Sequence, residues 1–588
     1  MAKNQEESRE KRKNLVLSRF RWSEQWRRPW DDKWLRWYKA FRGIVSKLPE
    51  GEEDRSNLHI PYTYSTVDAV RSKLLTACFA NRPYVSFIPK DADDVETAKN
   101  METLVDSQMN RTDVELMVRM YKLFTDMLIY GGCPYETGWR TETRMVRRKG
   151  PLIDPESGIF MGYEEQEEEV LLWDDPDFQP FMIDDFYPDP EGTSIDDCSW
   201  VIRKRYIARK ELEAKIEEGI YKVKDLDAIN QAGDRISEGK QDRLAAIGAA
   251  DAYADEADVG GRRYELLEMW EDDRVTTVIN RTEVIRDGEN PFWHGKKPFG
   301  FAKFDPLNGE FYGISLVEVI EYLQAELNTT RNQRIDATSQ TINRMWIVLK
   351  GMGLEPADLV SRPNGIIWVD SMEEVPKEVE FKPPEPAAYQ EESIIKADIQ
   401  EATSTYNEAR GAPSDTKRTA TENAIRERST NIRFETKLRI FEALGLKRLG
   451  FFYDQLNQQF IDGIRSVRVS GEDGGYEWQE MRPEDIAGKF EYQPAGSSIE
   501  PTLDKLEYRT NLLNLYNEFK EDPEIRTREL KKRVFEAFGI KDTEKLIKSE
   551  EEIQQELAEE QELAAQEELE AMLMGGGTQG GTGMMGTY

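Results

Sequence analysis

Between Leu323 and Gln340 the chain reads LQAELNTTRNQRIDATSQ and continues the amphipathic run YGISLVEVIEYLQ with no turn residue between them. The spacing predicts one helix over 314–343. Past Leu323 its only large apolar residues are Leu327 and Ile335, set among Asn, Thr, Gln and Arg. A stripe one residue wide cannot hold a helix against a single core, because burial yields only about 25 cal/mol per Å² of apolar surface. Such a helix needs neighbours on more than one side. Identical copies around a ring axis would supply them through Thr, Asn, Gln and Ala, leaving one face towards a water-filled lumen. A second sparse helix is predicted over 389–409, marked by Ile395, Ile399, Ala402 and Tyr406.

The rest of the chain alternates in character. Residues 11–47 hold twelve Lys or Arg against three acidic residues, interleaved with Trp22, Trp26, Trp30, Trp34 and Trp37. Trp30, Trp34, Trp37 and Phe41 recur at helical spacing after Pro29, which suits a first helical position. This segment either docks its aromatic stripe on the body or presents a basic surface to nucleic acid or a partner. Helical patterns follow over 62–131, and strand patterns bounded by Pro, Gly and Asp run to about 310. A polar stretch over 231–261 reads as a mobile surface excursion. After the sparse helix comes a small strand-rich piece, 344–388. Thr419 and Glu422 form a capping-box pattern opening a helix of about 40 residues, near 60 Å long, that runs to Ile461. Gly445 and Gly450 inside it mark a kink or a close backbone contact. Strands over 462–500 and helices from Thr502 complete the body. Residues 550–570 carry ten Glu and no Lys or Arg, before a Gly/Met/Thr-rich end expected to be disordered.

Charge and motifs narrow the function classes. With 113 acidic and 80 basic residues among 588, the formal charge of −33 argues against a free, general nucleic-acid binder. Cys78, Cys133 and Cys198 are far apart and read as buried thiols of a reducing compartment. There is no apolar run long enough to span a membrane, and the start MAKNQEESREKRK lacks the apolar segment of a signal peptide, so a soluble protein made in a cytoplasm is expected. Only His59 and His294 are present, and the phosphate-loop, H-E-x-x-H and G-x-S-x-G motifs are all missing. The best catalytic alternative is a metal-dependent nuclease built on Asp184, Asp185, Asp189 and Glu191. In DDFYPDPEG these residues equally suit a turn, where Asp side chains bind backbone amides.

Three stretches, DDFYPDPEGTSIDDCSWVIRKRY (184–206), NPFWHGKKPFGFAKFDPLNGEFYGISLVEVIEYLQAELNTTRNQRIDA (290–337) and TKRTATENAIRERST (416–430), occur in this order. With the series helix, β piece, helix, loop and long helix, the chain resembles the portal proteins of tailed bacteriophages. The resemblance implies an α+β portal fold with wing, helical stem, small β-containing clip and helical crown, assembled as a dodecamer around a DNA channel at one capsid vertex of the virion. It places the wing at 61–313 with a long helix at 420–461 and strands at 462–500, following the basic segment 1–60. The stem falls at 314–343 and 389–409, the clip at 344–388, the tunnel loop at 410–419 and the crown with the acidic helix at 501–574. The disordered tail is 575–588.

In that reading Leu323, Leu327, Ile335, Ile395, Ile399 and Tyr406 pack the stem. Arg331 and Arg334 either touch phosphates or form salt bridges between subunits. Arg410, Lys417 and Arg418 either contact DNA phosphates at the tunnel loop or pair with Glu of a neighbouring subunit. An otherwise acidic channel would let DNA slide where a basic one would hold it. The implied partners are viral double-stranded DNA, the major capsid protein, the terminase motor, a head-tail adaptor or tail proteins, and a scaffold protein. No cofactor, metal or catalytic residue is expected. Another virion ring component or a scaffold is the remaining alternative.

Overall fold

The computed structural model describes residues 2–52, 55–80, 82–111, 115–153, 160–223, 226, 229, 238–249, 263–343, 346–347, 377–380, 383, 385–405, 432–470, 476–494, 502–519 and 527–537. Helix and strand are mixed throughout, as expected for an α+β chain. The helices are α1 (Ala2–Arg42), α2 (Tyr62–Cys78), α3 (Val95–Met109), α4 (Leu116–Tyr130), α5 (Arg209–Glu217), α6 (Glu238–Ala246), α7 (Leu316–Ile342), α8 (Pro386–Thr403) and α9 (432–460). Then come the short α10 (Pro483–Ile486), α11 (Thr502–Phe519) and α12 (Thr527–Ala537).

The strands form antiparallel sheets. β4 (Phe186–Pro188), β5 (Val201–Ala208), β6 (Arg263–Trp270), β7 (Arg274–Ile279) and β8 (Glu283–Glu289) lie in that order in a five-stranded sheet. β2 (Gly132–Ile153) lies between β3 (Phe160–Pro180) and β9 (Phe299–Lys303), and β1 (Val85–Pro89) pairs with β14 (Phe490–Pro494). β10 (Trp346–Ile347) pairs with β11 (Lys377–Glu378), and β12 (Arg465–Ser470) with β13 (Tyr476–Met481). Two compact units divide the chain, one of residues 1–469 and 476–499 and one of 470–475 and 500–588. In the second unit, α11 and α12 are tied by a hydrogen bond from Arg509 Nε to the Ala537 carbonyl, 2.8 Å.

The N-terminal helix departs from expectation. It does not begin at Pro29 but runs through it, as a single element of 41 residues. Proline removes one backbone donor and crowds the preceding turn, so contacts on both sides must hold the helix together. They lie on one seam at spacings of three and four: Val16, Phe20, Ser23, Arg27, Trp30, Trp34, Trp37 and Phe41. Val16 and Phe20 are buried with Trp200, Ile202 and Leu267 of the five-stranded sheet. Ser23 donates to the Pro188 carbonyl at 2.7 Å, and Arg27 Nη1 to the carbonyls of Asp184 and Phe186 at 2.9 Å each. Trp26, Trp30 and Trp34 surround Tyr312, with ring centroids 5.5, 5.5 and 5.1 Å away. Its cations are used internally too: Arg12 and Arg19 pair with Glu271, Lys33 with Glu318 and Arg36 with Glu321. The aromatic stripe is therefore docked on the body.

The stretch 231–261 also differs from its reading, for the residues described. α6 lies within it and is pinned by Arg243, which pairs with Asp184 and sits over the rings of Tyr130 and Tyr38 at 4.7 and 5.5 Å. In the middle of the body, β9 approaches β2 closely because Gly300 carries no side chain. A Cβ there would overlap the Tyr135 ring. The Tyr135 hydroxyl donates to the Gly445 carbonyl at 3.0 Å, in a π-helical turn at Glu442–Leu446. Gly450 one turn on lies against Val85 of β1. These are the two glycines at which the sequence pointed to a kink or a close contact.

Two expectations follow. Gly300→Ala is expected to destabilise the body by about 1–3 kcal/mol, the cost of overpacking, read as a lowered thermal midpoint. Burial pushes the Asp31 carboxyl up to about 6 from its ordinary 3.8, although Arg27 opposes the shift. The folded state thus holds this proton more tightly than the unfolded chain, so the associated stability is full below about 3.8 and is lost as pH rises through 6. Hydrogen exchange around Arg27 and Asp31, corrected for intrinsic rates, should show more protection at pH 5 than at pH 8.

Candidate functional site

α7 begins at Ser315, whose hydroxyl accepts from the amides of Val317 (3.0 Å) and Glu318 (3.3 Å) and thus caps two free donors. The same hydroxyl lies 2.6 Å from the Ile129 carbonyl and fixes the helix start on the end of α4. Leu316, Val317, Ile320, Gln324 and Leu327 are buried, and no residue of α7 beyond Leu327 is. Ile320 and Leu327 form an apolar cluster with Ile395 and Ile399 of α8, against which Leu323, Ile60 and Tyr62 pack. Four of the six residues proposed to pack this region therefore meet. Ile335 is half-buried farther along α7. Tyr406 lies outside the described residues, and so do Arg410, Lys417 and Arg418.

α8 is displaced from its predicted limits. It starts at Pro386 rather than Tyr389 and stops at Thr403 instead of reaching Ala409. Ser404 adopts a left-handed conformation (φ +56°) that ends the helix. Its hydroxyl accepts from Arg433 Nη1 of α9 at 2.6 Å.

The polar residues of α7 have a partner that the sequence reading missed. Gln324, Asn328, Asn332 and Asp336 recur every fourth residue and so share one face. Asp336 accepts from the Ser56 amide (2.7 Å), Asn332 from Leu58 (2.9 Å), Asn328 from Ile60 (3.0 Å) and Gln324 from Thr63 (2.9 Å). Asn332 and Gln324 also donate back to the carbonyls of Leu58 and Ile60 at 3.1 and 2.9 Å. An extended segment of the same chain is thereby zipped onto the helix. The expectation that these Asn and Gln side chains pack against neighbouring copies is corrected on this face. The signal was the four-residue recurrence itself.

Arg331 and Arg334 likewise find a partner within the chain, where phosphate contact or pairing between subunits was the expectation. Both bind Glu392 of α8, through Arg331 Nε and Arg334 Nη1 at 2.9 Å each, and Lys396 Nζ joins at 2.6 Å. Glu392 is buried, and the hydrogen bond from Arg331, followed by Lys396, holds its carboxyl at about 2, below its ordinary 4.5. Three faces of α7 are thus defined: one on α8, one on the extended segment, and one open. The open face carries Val319, Tyr322, Glu326, Thr329, Gln333 and Gln340, with Tyr322 82% exposed.

The acidic residues of the turn have separate surroundings. Asp184 pairs with Arg243, while Asp189 accepts from the amides of Glu191 (3.3 Å) and Ser199 (3.1 Å). Glu191 points to solvent. Among the described residues no group of three or more His, Cys, Asp or Glu side chains converges as metal ligands would. Cys78, Cys133 and Cys198 are each buried and unbridged. No described helix is long and apolar enough to cross a membrane.

Comparison with protein families places residues 24–575 on the family described as phage SU10 portal protein. The chain belongs to that portal family. No curated protein matches it. The family match takes in α7, the capping residue, the extended segment from Ser56, and α8, so the zipped helix pair sits inside the portal region. It excludes the first half of α1, with Val16 and Phe20.

Replacing Asn328 and Asn332 together by Ala should release the Leu58 and Ile60 amides to solvent, at about 0.5–1.5 kcal/mol for each net hydrogen bond lost. Faster hydrogen exchange at the Leu58 and Ile60 amides would report it. A depressed folded-state pKa means that the Glu392 contribution is present above about 4.5 and is lost as pH falls towards 2. In Glu392→Gln, the acid-induced loosening of α8 over this window should disappear, as read by hydrogen exchange at graded pH.

Proposed function

We propose that this chain forms a twelve-subunit ring at one vertex of a phage capsid, the channel through which viral DNA enters during packaging and leaves during ejection. The observation that carries the reading is the family match over residues 24–575. The open polar face of α7 supports it, since a helix held by its own chain on two faces presents the third to a neighbour or a water-filled lumen. In this arrangement α7 and α8 are the stem, 344–388 the clip and 410–419 the tunnel loop. The body before α7, together with α9 and the strands after it, is the wing, and 501–574 is the crown.

The clip takes the terminase motor while the head fills and a head-tail adaptor or tail protein afterwards. The chain carries no phosphate loop, so hydrolysis of nucleotide is supplied by that motor. The major capsid protein surrounds the ring, and a scaffold protein assists its placement during assembly in the host cytoplasm. The role is structural, with no catalytic step. A net charge of −33 suits a channel that must not bind its cargo. Double-stranded DNA presents one charge per about 1.7 Å, and each phosphate neutralised adds to salt-dependent retention. Arg410, Lys417 and Arg418 are the local cations that steady the duplex as it slides.

Electron microscopy of the purified protein, with rotational symmetry scored on end-on views, tests the ring. Twelve-fold rings, or thirteen-fold rings when assembled without a capsid, with a hole wide enough for duplex DNA are expected. A monomer or dimer across a range of salt would overturn the proposal. Replacing Arg410, Lys417 and Arg418 by Ala should leave ring formation intact and lower the amount of DNA retained in packaged heads.

A further inference from the structure

β2 and β3 are much longer than the sheet that anchors them. β9 covers the outer edge of β2 only along Gly132–Glu136. On the other side, Arg119, Arg465 and Arg111 donate to the carbonyls of Phe178, Asp174 and Leu172 of β3. Beyond Thr143 and Leu171 the two strands continue as a ribbon, paired as far as Ile153 with Phe160, with no third strand among the described residues. Eleven residues at about 3.3 Å each make an arm of about 36 Å. A two-stranded ribbon is marginal on its own, and its open edges are templates for pairing. Met145 and Leu171, 59% and 55% exposed, add apolar surface without cover.

The two strands carry opposite charge. Residues 143–149 read TRMVRRK, with four basic side chains and no acidic one, while 164–170 read EEQEEEV, with five Glu and no basic one. In register, Lys149 faces Glu165 and Arg147 faces Glu167. Among the described side chains two ion pairs cross the ribbon, Arg147 to Glu167 at 2.9 Å and Arg148 to Glu168 at 3.4 Å, yet all four side chains stay more than half exposed. Neutralisation within the hairpin would be met by mixed signs on both strands. Complete segregation instead gives the arm one basic edge and one acidic edge.

That segregation selects a symmetry. A two-fold axis would bring like edges together, and with them like charges. A rotation that places copies head to tail brings the basic edge of one arm to the acidic edge of the next. We propose that the ribbon is a subunit-joining arm, with the basic β2 edge of one copy seated against the acidic β3 edge of the adjacent copy's ribbon. This rests on the ring reading above. Duplex DNA is not the occupant that fits, because the Glu strand lies within one strand spacing of the cations that would meet it.

A charge-swapped chain tests this while keeping the pairs within each hairpin: R144E, R147E, R148E and K149E combined with E165K, E167K, E168K and E169K. Wild type and swapped chain, one carrying a mass tag, are expressed separately and together, and ring composition is read by native mass spectrometry. Each chain alone should form rings. Together they should sort into two pure populations, since a mixed contact sets like charges edge to edge. Mixed rings in statistical proportion would overturn the inference and leave the ring reading standing. A swapped chain that folds but makes no rings would also overturn it. Wild type that makes no rings would overturn both readings.

Discussion

An extended strand advances about 3.3 Å per residue and an α-helix about 1.5 Å, so two residues of the first span nearly the distance of four residues of the second. Ser56, Leu58 and Ile60 meet Asp336, Asn332 and Asn328 at that ratio. The match lets a helix poor in apolar residues be held by side-chain hydrogen bonds to backbone groups. Each bond gives an amide or carbonyl of the extended segment a partner on the helix in place of water. Together with Glu392, which joins α7 to α8, it explains how α7 extends past its last buried residue, Leu327. The open third face depends on this zipper.

The zipper is anchored by the aromatic centre around Tyr312. Trp26, Trp30 and Trp34 reach it from α1, and Phe301 and Phe311 close the other side with centroids 5.9 and 5.3 Å away. Tyr312 lies just before the Ser315 cap, so the same contacts that dock α1 fix where α7 begins. Lys33 and Arg36 of α1 then pair with Glu318 and Glu321 in its first turns. The basic N-terminal segment and the polar helix, which look unrelated in the sequence, are two sides of one joint.

Much of this was legible in the residues. The helix over 314–343, the second sparse helix, the strand-rich middle and the close contacts at Gly445 and Gly450 follow from periodicity and punctuation, and the portal family from three motifs in order. What was not legible has specific physical causes. The α1 seam was hidden before Pro29 because two of its positions are Ser23 and Arg27, polar residues that a hydrophobic pattern discounts although both are buried on backbone carbonyls. α6 looked like an excursion because it buries no residue and is docked by Arg243 on Asp184 and by the close approach of Gly239 to the same side chain. The four-residue recurrence of Gln324, Asn328, Asn332 and Asp336 marks a polar face, but what pairs with it is backbone, which carries no sequence signature. The end of α8 at Ser404 depended on a left-handed residue that is not glycine.

The position of α1 has a consequence for how the chain is made. The C-terminal half of its seam waits for Tyr312, Glu318 and Glu321, close to three hundred residues downstream. At about 5–20 residues per second of synthesis, that is a delay of roughly 15–60 s during which Trp26, Trp30 and Trp34 lack the Tyr312 ring they surround. Until α1 docks, Glu318 and Glu321 in the first turns of α7 lack their cationic partners Lys33 and Arg36. The first helix to be made thus gains its full set of contacts only when more than half of the chain exists.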